Sequence, residues 1–426
     1  MKRIAIVVQR CHPSVVGGSE ALAWQYARLL SSRFDVEILT STASDYMTWK
    51  NDLAPGVELR DGIPVRRFPV AITRDKYWFA LHARLMREVH ATRTRAGAER
   101  VYWREALEDE FIRFQGPYCP ELHAFLAANV ESYAAVVFCT YLYPTTYFGI
   151  RSVPAQKAIL VPTLHDEPPA YLRVFAERYG EYRNRIWLTD SEQFVAARLW
   201  DSDDGEVIGM AVEHTESTEP ERRAAPYFLY SGRIEEGKGC RELLDAFQSF
   251  RKRSKIAATL VLTGVDNMRL PQRSDIEFLG FVDERRKLAL MAGAAAFVLP
   301  SEYESFSIVT LEAMAQRTPV LVNGRCDVLH DHIERSGAGF DYRTPEELAA
   351  LMERVLALDA TERTRIGEAG RRYVLDRYSE DHVRERLVEA VERIATAAMA
   401  PASAKKSHPP LPLAGEGRGE GILESP

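Results

Sequence analysis

The chain has 426 residues, long enough for two domains with full hydrophobic cores, and 46% of them are hydrophobic, as in an ordinary globular protein. Its net charge of −6 gives no reason to expect nucleic acid as a partner.

Residues 4–8 (Ile-Ala-Ile-Val-Val) read as a continuous apolar strand, as in a parallel sheet covered on both faces. Gly17, Gly18, Ser19 and Glu20 form a turn and helix start, and Leu22, Tyr26, Leu29 and Leu30 mark a helical face. A second strand follows at 36–40, opening a doubly wound α/β pattern. An insertion at 73–116 interrupts it with Trp78, Phe79, Arg84, Arg87, Arg93, Arg95, Arg100, Tyr102, Trp103 and Arg104. Strands resume at 135–138, 158–161, 187–189 and 207–209. The first domain is thus expected over 1–215, with a polar linker at 216–225 inside the stretch 213–225. A second alternating domain, 226–378, has strands at 228–230, 259–262, 276–278, 296–299 and 320–322. A last helix is expected over 379–398. Residues 399–426, rich in Pro, Gly and Ala, read as a disordered tail.

Cys11, Cys119, Cys139, Cys240 and Cys326 show no paired spacing for zinc or a redox motif, which suggests free thiols in a reducing cytosol. Between Lys2 and Gln9 the apolar run is too short for an export signal. The longest apolar stretch, 134–143, is about half of the roughly twenty residues a spanning helix needs. A cytoplasmic protein is expected, with membrane contact confined to its periphery.

Ligands of open α/β sheets bind beyond the carboxyl ends of the strands, so the loops after strands are the ones to inspect. Ser231, Gly232, Arg233, Lys238 and Gly239 follow the first strand of the second domain. A bidentate guanidinium, a mobile ammonium and free N–H groups suit a diphosphate. Two solvated surface cations would look the same. Glu304 stands at the mouth of a helix starting near 305–307, where N–H groups and the dipole favour phosphate. Glu312, four residues after Ile308, faces the apolar side of that helix. A buried carboxylate is costly unless hydrogen-bonded, and two vicinal hydroxyls, as on ribose, would satisfy it. Gly17 and Gly18 would admit a phosphate close to the backbone, or are an ordinary tight turn. His165, with Asp166 and Glu167, could bind a sugar hydroxyl or move a proton, or be a satisfied histidine beside a capping acid. The basic insertion would suit an anionic membrane surface or acceptor; a solvated helical face is the plainer reading. No His cluster or carboxylate cluster suggests a metal.

The Ser-Gly-Arg…Lys-Gly loop at 231–239, the segment Leu279-Gly280-Phe281-Val282, and the Glu-x7-Glu run from Glu304 to Glu312 closing in Leu311-Glu312-Ala313-Met314-Ala315 stand in the order of a known family, with Thr318-Pro319-Val320 after them. The chain resembles the retaining glycosyltransferases of family four. The likeness is strong over 226–342 and weak over 41–133. It implies a GT-B fold, two Rossmann-like doubly wound domains facing each other across a cleft, with the last helix crossing back to the first domain. It implies that Arg233 and Lys238 hold the donor diphosphate, Glu304 contacts the transferred sugar, and Glu312 takes the ribose hydroxyls. Phe281 and Val282 would meet the base, Gly18 the phosphate, and His165 the donor sugar; Gly17, Gly232, Ser305, Phe306 and Ser307 complete the donor site. Ser305 and Ser307 stand where the family commonly has glycine, and the loop at 208–213 carries fewer glycines than usual.

The resemblance implies transfer of a hexose from a UDP- or GDP-sugar to a hydroxyl of a glycan or lipid-linked acceptor, with retention, without metal and without a cofactor. Bacterial surface polysaccharide or glycoconjugate synthesis is the expected setting. A nucleotide-sugar 2-epimerase of the same architecture and a non-catalytic nucleotide-sugar-binding protein remain alternatives.

Overall fold

In the computed structural model, which describes residues 1–15, 17–94, 97–212 and 218–399, two six-stranded sheets follow one another along the chain. The first contains β1 (Arg3–Val7), β2 (Asp35–Ser41), β3 (Gly56–Arg60), β4 (Ile63–Phe68), β5 (Ala135–Cys139) and β6 (Ala158–Val161), in the order β3-β4-β2-β1-β5-β6. Every pair is parallel except the β3–β4 hairpin at the edge. Short strands β7 (Ile186–Trp187) and β8 (Glu206–Val207) pair with each other. The second sheet contains β9 (Tyr227–Ser231), β10 (Thr259–Thr263), β11 (Ile276–Phe278), β12 (Ala296–Leu299), β13 (Val320–Asn323) and β14 (Gly339–Tyr342). It is wholly parallel, in the order β11-β10-β9-β12-β13-β14. This is the doubly wound order, whose switch point lies between the first and fourth strands, here β9 and β12.

The central strands β5 and β9 are buried along their whole length, which is why they read as unbroken apolar runs. The strand expected at 187–189 is only two residues long. Thr189 instead caps the helix Asp190–Trp200, its hydroxyl accepting from Glu192 N at 3.1 Å.

The insertion at 73–116 folds as two helices, Lys76–Thr92 and Glu105–Gln115. Asp75 caps the first by accepting from the N–H groups of Tyr77 and Trp78. Trp78, Leu81, Leu85, Trp103, Phe111 and Ile112 join the core on one side of the first sheet. Three of the segment's arginines are held in ion pairs: Arg84 with Glu88 on the same helix, Arg93 with Asp166 and Arg100 with Asp201. Arg95 lies outside the described residues. A single helical face keeps Phe79, Met86 and Arg87 exposed.

The final helix, Glu380–Met399, returns to the first domain. Val383, Leu387 and Val391 are fully buried. Lys2 donates to the Thr396 hydroxyl at 2.7 Å, and Arg33 lies 3.0 Å from Glu392. The tail beyond Met399 and residues 213–217 lie outside the described residues.

Candidate functional site

The loops leaving β9 and β12 start side by side at the switch point of the second sheet. Gly239 brings them together. Its φ of +71° is a conformation that costs other residues energy, and a Cβ there would run into the Pro300 carbonyl oxygen. Asn323 holds the same carbonyl from the other side, donating from Nδ2 at 3.0 Å. With the loops pressed together, Lys238 Nζ lies 2.8 Å from Glu304 Oε1 and 3.5 Å from the Tyr303 carbonyl. The pair is partly exposed, so an incoming anion can reach the ammonium.

Arg233, two residues beyond β9, reaches the other domain. Its Nη1 donates to Tyr46 Oη at 2.9 Å, and its guanidinium stands 5.2 Å from that ring's centroid. Glu235 is 3.3 Å away. On the facing side, Arg10 donates from Nε to Glu20 Oε1 at 2.7 Å and lies 5.5 Å from the same Tyr46 ring. Gly17 and Gly18 open the helix Gly18–Leu30 just above this pair. A Cβ at Gly17 would collide with the Glu20 carboxylate, whereas one at Gly18 would meet nothing within 4 Å. A side chain at Gly17 would have to displace the Glu20 carboxylate from Arg10, whereas Gly18 borders open space.

His165 follows β6 and faces the second domain, its ring 6.2 Å from that of Tyr303. Its Nε2 is 3.4 Å from Glu167 Oε2, and Glu167 also accepts from Tyr141 Oη at 2.8 Å. Burial would lower the imidazole's pKa, but the Glu167 carboxylate outweighs it and holds His165 above its ordinary value. A raised imidazole pKa adds stability that is complete below about 6.5 and lost as pH rises through the raised value. Glu167→Gln should remove that alkaline loss and drop the His165 pKa below its ordinary value, because burial then dominates. Proton NMR titration of the ring reads this; an unchanged pKa contradicts the pairing. Asp166 does not cap a helix. It binds Arg93 at 2.9 Å, Arg198 at 2.8 Å and Tyr171 Oη at 2.6 Å, tying the insertion to the loop that carries His165.

Several predicted donor-site residues stand apart from this cluster. Phe306 is buried, edge-on to Tyr378 at 5.2 Å, and its carbonyl faces His332 Nε2 at 2.9 Å. Its side chain is core, and only backbone is left to offer a ligand. Ser305 meets the first domain, its carbonyl accepting from Thr189 Oγ1 at 3.4 Å. Ser307 sits just before the helix Ile308–Ala315 at φ +61°, with its hydroxyl 2.8 Å from Thr310 Oγ1 and bonded to no backbone N–H of the helix. The left-handed φ explains why glycine suits that position. Gly232 directly follows β9. Phe281 is 74% exposed and Val282 packs partly on the core. Their loop is tied to the end of β10 by the bond from Gly264 N to the Gly280 carbonyl, 2.9 Å.

Glu312 is buried, as its helical phase requires, but its partner here is Lys287, whose Nζ lies 2.8 Å from both Glu312 Oε2 and Glu284 Oε1. The charge expected to need ribose hydroxyls already has a cation. Sequence reasoning passed over Lys287, Tyr46, Arg10 and Glu192. Glu192, fully buried, accepts from Leu164 N at 2.7 Å and Leu188 N at 2.5 Å and so fixes the His165 loop; burial pushes its carboxyl up to about 8. The spacing Thr189-x-x-Glu192 is a capping-box signature that could have drawn attention to it. Among the described residues no three His, Cys, Asp or Glu side chains gather as a metal site, and no helix is long and apolar enough to cross a membrane.

Residues 213–373 match the family model described as Glycosyl transferases group 1. An uncharacterized glycosyltransferase of Methanocaldococcus jannaschii is 32% identical over 172 residues, which is 38% of this chain and 43% of that protein. The O-antigen chain mannosyltransferase B of Escherichia coli is 35% identical over 105 residues, 22% of this chain and 28% of that protein. The aligned stretches thus span less than half the length of these curated relatives. Among solved structures, sucrose-phosphate synthase from Thermosynechococcus elongatus superposes with a TM-score of 0.67 at 16% identity, covering 93% of this chain and 100% of that one. Anabaena HepE in complex with UDP and glucose gives 0.65 at 16% identity over 92% and 100%. The fold is GT-B.

Proposed function

We propose that the chain is a retaining hexosyltransferase of the Glu-x7-Glu type. It would move a sugar from a UDP- or GDP-sugar to a hydroxyl of a glycan or lipid-linked acceptor, in surface polysaccharide or glycoconjugate synthesis. One observation carries the reading. Lys238 and Glu304 meet at 2.8 Å at the switch point, within a stretch that matches group 1 glycosyl transferases. Arg233, Lys238 and the N–H groups at the start of the helix Ile308–Ala315 are then the donors available to a leaving diphosphate. The bond from the anomeric carbon to the diphosphate oxygen breaks, the bond to the acceptor oxygen forms on the same face, and the acceptor proton passes to the departing phosphate oxygen. The charge developing on the diphosphate would be met by side chains already in position, with no metal or cofactor required. Glu304 and His165 would face the sugar, Glu312 the ribose in exchange for part of its contact with Lys287, and the 281–282 loop the base. Membrane contact, where a lipid-linked acceptor is met, would use the face carrying Phe79, Met86 and Arg87.

The test is nucleotide release across UDP- and GDP-sugars, with and without lipid-linked acceptors, beginning with UDP-glucose because HepE is solved with it. Acceptor-dependent release with product of retained configuration is the expected outcome. A sugar epimerised without acceptor would favour the 2-epimerase, and binding without turnover the non-catalytic reading.

A further inference from the structure

Arg74, just ahead of the helix Lys76–Thr92, is held in an aromatic cage. Its guanidinium carbon stands 4.2 Å from the Trp78 ring centroid and 5.6 Å from that of Trp49, and its Nε donates to the Gln115 carbonyl at 3.1 Å. Among the described residues no carboxylate pairs with it. The surrounding acids are engaged elsewhere. Glu20 binds Arg10 and Gln9, Asp45 takes the N–H groups of Met47 and Thr48, and Glu167 takes His165 and Tyr141. His82 stacks on Trp78 at 4.7 Å; burial first, and then the Arg74 charge, lower its pKa and keep it neutral. Trp49 and Trp78 are both more than nine-tenths buried, and neither indole N–H has an acceptor among the described residues. The cage therefore holds a positive charge and more donors than acceptors. Stacking on aromatic faces offsets part of the cost of such a charge, and an anion would offset far more.

The cage is continuous with the proposed donor site. Trp49 also lies under Arg10 at 5.7 Å, and Arg10 shares the Tyr46 ring with Arg233. Cations and rings alternate from the loop after β9 into the first domain as Arg233, Tyr46, Arg10, Trp49 and Arg74. Arg233 is balanced by Glu235 and Arg10 by Glu20, whereas Arg74 feels Asp45 only through longer-range attraction, which leaves the far end of the row without an ion pair of its own. A substrate reaching from the sugar-transfer point along this row would bring its distal group to Arg74.

We propose that Arg74 anchors an oxyanion, phosphate or carboxylate, carried by the acceptor, so that the acceptor is an acidic sugar rather than a neutral one. This rests on the transfer reading above, and it adds the acceptor's charge. A guanidinium fork accepts either oxyanion with two parallel bonds, which an ammonium does not.

The experiment is a tryptophan-fluorescence titration with saturating UDP filling the diphosphate site, using inorganic phosphate, glucuronate and glucose as probes. Wild type should show a saturable change with phosphate, glucuronate or both, and none with glucose. The anion that binds identifies the acceptor's group. Arg74→Gln should weaken that binding about tenfold or more, and Arg74→Lys by less. UDP affinity, measured separately, should match wild type in both variants, which certifies the fold. Anion binding that persists unchanged in Arg74→Gln, or wild type that binds UDP but neither anion, overturns the proposal. A wild type that binds no UDP sinks the donor reading instead, and anion binding lost in Arg74→Gln would still establish the Arg74 site.

Discussion

Lys238→Ala should lower turnover by about a hundred- to a thousandfold while the protein stays folded. The magnitude is that of removing one preorganised donor from a group on which charge develops. The ammonium sits 2.8 Å from Glu304, and among the described residues no other Lys or Arg pairs with Glu304, so no cation takes its place there. The fold should tolerate the loss. The pair lies in the cleft with 25% and 17% of its side-chain surface exposed, so Glu304 keeps some access to water when the ammonium goes, and the loss should cost about 1–3 kcal/mol. The effect should appear in kcat for every donor accepted, with the melting temperature lowered by no more than about a few degrees. A variant with wild-type kcat would remove Lys238 from the chemistry.

Gly239→Ala should harm both stability and rate. A methyl group must either displace the Pro300 carbonyl, which Asn323 also holds, or push the loop off β12, and the φ of +71° adds backbone strain. Together these should cost about 2–4 kcal/mol. The rate should fall at least about tenfold, because reaching Glu304 depends on the loop contact that the methyl breaks. Gly237→Ala is the control two residues away, since a Cβ there meets nothing within 4 Å. Denaturant unfolding and initial-rate measurements on both variants decide it. Equal behaviour of the two would show that the Gly239–Pro300 contact does not hold the site.

The sequence exposed what depends on local pattern. The unbroken apolar strands betrayed two largely parallel sheets, and the rule about loops after strands led to the two loops where Lys238 and Glu304 meet. The phase of Glu312 relative to Ile308 correctly put a carboxylate on a buried face. What it hid depends on contacts between distant segments. Nothing near Lys287 announces that it lies against Glu312, and nothing near Tyr46 announces that Arg233 crosses the cleft to it. Phe306 sits among the predicted donor-site residues, yet Tyr378 and His332, far along the chain, claim its ring for the core. The edge hairpin was readable but passed over. Asp61 and Gly62, both at positive φ between β3 and β4, are the Asp-Gly pair that tight hairpins favour. The arginines of the insertion looked like one basic surface because sequence shows their density and not their partners, Glu88, Asp166 and Asp201.

A crystal soaked with UDP or GDP addresses the central claim most directly. The account predicts the diphosphate within hydrogen-bonding reach, about 2.7–3.2 Å, of Lys238 Nζ and the Arg233 guanidinium, with the ribose against Glu312. A nucleotide bound elsewhere, touching none of these three side chains, would contradict it.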